Sequence, residues 1–253
     1  MPDPATLLAD DLAAARDALA QGDSARAAAI CDALLDRFPS FASAWLVRAD
    51  VALHRGDDGA AEASYAAALA GRPDCAAIWF GLGRVAEMRR RLDDALAFCQ
   101  VAWELAPERR DFRAYLTRLS AERTGVDGVL QLSGPALATL HAQAGRHERA
   151  AREFQAALER FPDRVDLRLG LLTSLWLLGL DDDAASVADA VLQTHPLAAP
   201  ALLIQADIDQ RSGPGMLVDR LVRRLRAVDP AGEVVQSIRD AHPHITLSWL
   251  AFA

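Results

Sequence analysis

Stretches with the apolar spacing of helices run along the chain, and one after another closes on a proline: Pro39, Pro73, Pro107, Pro162, Pro196 and Pro230. The intervals between these prolines are 34, 34, 55, 34 and 34 residues. A fixed interval of this size marks an array of repeated structural units. Other positions keep the same register. Twelve residues before each proline stand Ala27, Ala61, Ala95, Ala150 and Ala184, with Val218 in the last unit. Eight before stand Cys31, Tyr65, Cys99, Phe154, Ala188 and Val222, and seventeen before stand Gly22, Gly56, Arg90, Gly145, Gly179 and Gly213. The stretch "IWFGLGRVA", residues 78–86, places Gly83 among good helix formers. Gly costs a helix interior roughly 1 kcal/mol relative to Ala, so Gly83 is expected to admit the close approach of a second helix, opposite Ala95.

This register resembles that of the tetratricopeptide repeat (TPR) family, whose pattern is W-x2-L-G-x2-Y, then A-x3-F, then P. Trp79, Leu82 and Gly83 fit the first block. Ala61 with Tyr65 and Ala150 with Phe154 fit the second, the former with Tyr in place of Phe. The likeness covers roughly residues 8–230. It implies an all-α fold, a right-handed superhelical solenoid of antiparallel helix pairs, with about six repeats in two segments. In such a unit the glycine supports the turn after the first helix, because it tolerates positive φ. Proline ends the second helix. No unit buries its apolar face alone, so stability comes from stacking.

The interval of 55 residues breaks the array. Residues 110–123, "RDFRAYLTRLSAER", have the pattern of a first helix without its second. The expected organisation is a first segment over 1–123, with units 8–41, 42–75 and 76–109 and a capping helix over 110–123. A connector follows over 124–133, then a second segment of three repeats over 134–230 and a partly helical tail over 231–253. A short, irregular second helix within 126–133 is the alternative to a plain connector. The tail ends on an apolar run. Either it folds back or drives self-association, or the sequence was cut from a longer protein.

Composition narrows the class of protein. Hydrophobic residues make up 52% and charged residues 25%, as in an ordered chain. All 27 basic residues are Arg, with no Lys and no Asn, the codon signature of a GC-rich, bacterial genome. The net charge of −8 argues against nucleic acid and against anionic membrane surfaces as partners. The N-terminus lacks the basic and long apolar regions of a secretory signal. The longest apolar stretch, "LLTSLWLLGL" at 171–180, is too short to span a bilayer. Cys31, Cys75 and Cys99 lack CxxC spacing and read as free thiols of a reducing, cytoplasmic compartment.

Catalytic motifs are missing: there is no Gly-rich phosphate loop, no G-x-S-x-G and no HExxH. His242 and His244 read as surface residues. Asp181, Asp182 and Asp183 open a helix, where carboxylates meet the positive end of the dipole. "RLVRRLRA", residues 220–227, is a basic amphipathic helix, either solvated or in contact with an anionic partner. No catalytic residue, metal or cofactor is expected.

The resemblance implies that the first helices of the units line a concave groove that receives a peptide or helix of another protein. The residues placed there are Leu46, Asp50, Phe80, Arg84, Glu87, Tyr115, Arg118, Leu169, Trp176 and Leu203. Arg84 and Arg118, one repeat apart beside apolar patches, suit an acidic residue on the partner, because Arg forks a carboxylate with two hydrogen bonds. The other reading pairs Asp50 with Arg84 and leaves Arg118 solvated. Leu169, Trp176 and Leu203 either receive a hydrophobic helix or pack between helices. The Lys and Asn that TPR co-chaperones use to clamp a C-terminal carboxylate are absent, which argues against a chaperone-tail receptor. The expected function is a non-enzymatic interaction scaffold. The second reading is the regulatory or substrate-presenting array of a larger enzyme, such as a transferase, and the third is self-association through the C-terminal tail.

Overall fold

Helices pair with their neighbours in sequence. The computed structural model describes residues 4–125, 131–213, 215–247 and 249–250. Among them, α1 (Pro4–Ala20) packs on α2 (Ser24–Arg37), α3 (Ala42–His54) on α4 (Asp58–Gly71), and α5 (Ala76–Met88) on α6 (Leu92–Leu105). A lone helix, α7 (Arg110–Thr124), follows. Then α8 (Gly134–Gln143) packs on α9 (His147–Arg160), α10 (Val165–Leu177) precedes α11 (Asp181–Thr194), α12 (Ala199–Ser212) packs on α13 (Met216–Val228), and α14 (Glu233–Ala241) ends the series. The fold of the described residues is all-α. None of their helices is long and apolar enough to cross a membrane. The short helix considered within 126–133 falls largely outside the described residues.

Local chemistry sets the helix ends. Asp23 and Asp57 cap α2 and α4 by accepting from the N–H of Arg26 and Ala60, each at 2.9 Å. The turn after the first helix of a pair is left-handed: φ is 82° at Gly22, 73° at Gly56, 69° at Gly145 and 72° at Gly179. Arg90 takes the same turn with φ 60°, the one non-glycine with positive φ among the described residues.

Small residues fix the spacing within pairs. Ala27, Ala61, Ala95, Ala150 and Ala184 are all completely buried. A Cβ on Gly83 would lie 2.4 Å from Sγ of Cys99 and 3.3 Å from the carbonyl oxygen of Ala95, so only glycine lets α5 approach α6 this closely. In the unit of α10 the same register position holds Leu172. There the close approach moves to Gly170, whose Cβ would come within 2.4 Å of the Phe154 ring on α9.

The chain forms two compact units, Pro73–Val191 and Met1–Arg72 with Leu192–Ala253. Within the first of these, α6 packs against both α7 and α8. Glu104, buried in the last turn of α6, accepts hydrogen bonds from Gln100, from Ser133 at the start of α8 and from Arg164 at the start of α10. Arg164 also forks Asp166, at 3.0 and 2.5 Å. A lone buried carboxylate is costly, and this network satisfies it while carrying the stack across the long interval.

In the other unit the last helices pack on the first. Arg16 on α1 pairs with Glu233 on α14 at 2.8 Å. Ala231 packs against the cluster of Leu12, Leu34, Phe41 and Val47. Val228 fills the space that a Cβ on Gly71 would need. Burial alone would push the Glu233 carboxyl up, but hydrogen bonds from Arg16 and Ser43 hold it below its ordinary value. After α14 the chain turns back. Leu247 accepts from Arg239 at its carbonyl, Leu247 and Leu250 are buried, and Trp249 donates its indole N–H to Asp207 on α12 at 3.0 Å.

Candidate functional site

Helical spacing puts Phe80, Arg84 and Glu87 on one face of α5, and Phe112, Tyr115 and Arg118 on one face of α7. The two faces meet through rings. Phe80 stacks on buried Phe112 with centroids 4.4 Å apart and meets Tyr115 edge-on at 4.9 Å. Such pairs contribute roughly 0.5–1.5 kcal/mol beyond the area they bury.

Charge is arranged around these rings. Arg118 pairs with Glu87 at 2.7 Å and with Glu122 at 3.5 Å, and its guanidinium lies over the Tyr115 ring at 4.5 Å. The Tyr115 hydroxyl donates to the other oxygen of Glu87. The hydrogen bond from Arg118 holds the Glu87 carboxyl below its ordinary value against the effect of burial, with help from Tyr115 and the nearby Arg84. Burial, then the Glu87 carboxylate, pushes the Tyr115 phenol up. At neutral pH the face therefore presents two guanidinium groups around one internal carboxylate. Arg118 is committed to Glu87, whereas Arg84 is exposed. A cavity of about 470 Å³ opens at the end of α5, lined by Glu87, Met88, Arg90, Leu92 and Glu122.

The ten residues placed in a groove by sequence separate into different settings. Phe80, Arg84, Glu87, Tyr115 and Arg118 come together on α5 and α7. Leu46 and Asp50 stand one turn apart on α3 in the other unit, both half-buried, and Asp50 accepts from the Tyr65 hydroxyl at 2.5 Å. Leu169, Trp176 and Leu203 are buried. They pack between helices and offer no surface to a partner. In α12 every residue of Ala199–Ile208 is buried, because α13, α14 and the returning tail enclose this helix.

Sequence reasoning did not find the network around Glu104. Its signal was present: a single carboxylate inside the apolar run "VAWELAP", residues 101–107, requires a partner. The buried thiols offer no nucleophile. Burial pushes Cys31 up to about 11 and Cys99 up to about 12, which keeps both protonated. Among the described residues no group of three or more His, Cys, Asp and Glu is placed to hold a metal ion.

The tetratricopeptide repeat family model matches residues 12–72, 59–109 and 136–207. No curated protein matches the sequence. Similar solved structures include the TPR domain of P58(IPK), at 16% identity and TM-score 0.40, covering 94% of this chain and 64% of that one. Another is pilF of Pseudomonas aeruginosa, at 17% identity and TM-score 0.41, covering 91% of this chain and 96% of that one. A third is the TPR2AB domain of yeast Sti1 in complex with pHSP90, at 12% identity and TM-score 0.42, covering 94% and 96%. The chain thus spans less than two thirds of the P58(IPK) domain.

Proposed function

Since the chain belongs to the tetratricopeptide repeat family, whose domains generally serve as protein-interaction modules, we propose that it is a non-enzymatic scaffold. On this reading the α5–α7 face holds a peptide or helix of a partner protein. One observation carries the reading. Phe80 and Tyr115 form an aromatic step flanked by Arg84 and Arg118, with Arg84 exposed to receive a carboxylate.

Binding on this face is an exchange. A partner carboxylate approaching Arg118 competes with Glu87, which already occupies it at 2.7 Å. The half-exposed pair holds Arg118 in place at little energetic cost to displace, since pairs open to solvent contribute about 0–1 kcal/mol. The partner's apolar side chain then covers the Phe80–Tyr115 step. The three free cysteines suit a reducing compartment such as a cytoplasm.

The test begins with affinity capture from the source cell and identification of the bound protein by mass spectrometry. Arg84→Glu with Arg118→Glu is expected to abolish capture while leaving the melting temperature nearly unchanged. Glu87→Gln, which frees Arg118, is expected to tighten binding of an acidic partner segment. Undiminished capture by the double variant overturns the assignment.

A further inference from the structure

Helix α13 buries Val218, Leu221, Leu225 and Val228, and this apolar edge fixes its orientation in the unit. Its exposed side is unusual. Met216 is 87% exposed and Leu217 69%, the most exposed large apolar side chains among the described residues. Arg220 and Arg223 are exposed one and two turns further on, with Arg224 beside them and Asp219 at the helix start. Arg224 donates to the carbonyl of Pro196, and burial, followed by the neighbouring Arg220 charge, lowers its proton affinity.

We propose that this side of α13 is a second docking site, for a partner segment carrying two or more carboxylates beside an apolar side chain. Apolar side chains of this size are ordinarily turned inward, and here two stand together next to clustered arginines. The arginines repel one another on an otherwise acidic chain of net charge −8, and an acidic ligand relieves that repulsion. Guanidinium groups also fork carboxylates with defined geometry. The charge balance selects the size of the occupant. An extended anionic surface, such as a bilayer, meets the negative charge of the whole chain. A short acidic segment meets only the arginine patch, because charges beyond the Debye length of about 8 Å are screened. The site is separate from the α5–α7 face and does not depend on it.

The test uses the full chain and a fluorescein-labelled synthetic helix of Ala, Leu and Glu, with its leucines on one stripe and glutamates flanking them. A matched helix carries Gln for every Glu, and phosphatidylserine vesicles form a third arm. The Glu helix is expected to bind in an anisotropy titration, and more weakly as salt rises. Arg220→Glu with Arg223→Glu is expected to weaken it by about tenfold. Met216→Ser with Leu217→Ser, which alters only exposed side chains, is expected to weaken it as well, and the binding that depends on Arg220 and Arg223 is expected to persist when Arg84→Glu with Arg118→Glu removes any binding at the α5–α7 face. Four results overturn the proposal: no binding of the Glu helix, equal binding of the Gln helix, loss that follows the Arg84 and Arg118 variants instead, or preference for the vesicles.

Discussion

Trp79 donates its indole N–H to the carbonyl oxygen of Pro73, 2.8 Å away. Pro73 lies in the turn just past the end of α4, so its carbonyl has no place in a helical hydrogen-bond ladder. The first turn of the next helix supplies a donor. Trp45 does the same for Pro39 at 2.8 Å, and Arg168 for Pro162 at 2.6 Å. The residue at this place thus ties the first helix of its pair to the turn before it, as tryptophan in α3 and α5 and as arginine in α10. Trp79→Phe keeps an aromatic ring but removes the donor with the pyrrole half of the indole. Urea unfolding is expected to show a loss of about 1 kcal/mol, the net value of one hydrogen bond. An unchanged midpoint would mean that the tie does not stabilise the stack.

Gly83 permits the contact between α5 and α6. Gly83→Ala puts a methyl group 2.4 Å from Sγ of Cys99, and overpacking of this kind costs about 1–3 kcal/mol. Cys99→Ala removes the clashing sulfur. The double variant is therefore expected to be more stable than the sum of the two single effects predicts, a coupling that a double-mutant cycle reads directly. Strict additivity contradicts the contact.

Arg90 holds a left-handed turn that four other units give to glycine. The conformation costs an L-residue about 1–2 kcal/mol, and glycine gives back part of this through the entropy of the unfolded chain. Arg90→Gly is expected to raise stability by about 0.5–1 kcal/mol in a thermal melt. A fall in stability would mean that the Arg90 side chain contributes more than its backbone costs.

Asp229 makes stability depend on pH. It accepts the N–H groups of Glu233 and Val234 at 2.8 and 2.9 Å. Burial nevertheless pushes its carboxyl from 3.8 up to about 6, although those hydrogen bonds and Arg72 favour the charged form. The folded chain thus takes up this proton at a higher pH than the unfolded chain does. Its contribution to stability is fully present below about 3.8 and is lost as pH rises through about 6. Relative to Asp229→Asn, the wild-type chain is expected to be more stable at pH 5 than at pH 7 by on the order of 1 kcal/mol. An equal difference at both pH values contradicts this.

The pairs were legible in sequence because they are local. The buried alanines, the left-handed turns and the close approach at Gly83 all follow from a register kept within each unit. Arg90 keeps this turn without being glycine, whereas Gly213 at the same register has φ 132° and leaves it. Contacts that cross the chain leave no such trace. Arg16 and Glu233 stand 217 residues apart, and no period announces that a side chain of α1 will pair with one of α14. Periodicity also gives the face a residue takes on its own helix, not what covers that face. This is why Leu203, placed in a groove by its spacing, is enclosed by α13, α14 and the tail. Likewise the spacing of Arg84 and Arg118 was readable, but the capture of Arg118 by Glu87 depends on side-chain geometry across two helices.

Photo-crosslinking in the source cell tests the binding face most directly. A benzophenone side chain replaces Met88, exposed beside Glu87 on α5, and in a second strain replaces Glu159, exposed on α9. If the α5–α7 face receives the partner, the Met88 probe yields a discrete adduct with one protein and the Glu159 probe does not. An adduct formed from position 159 and none from position 88 would contradict the assignment.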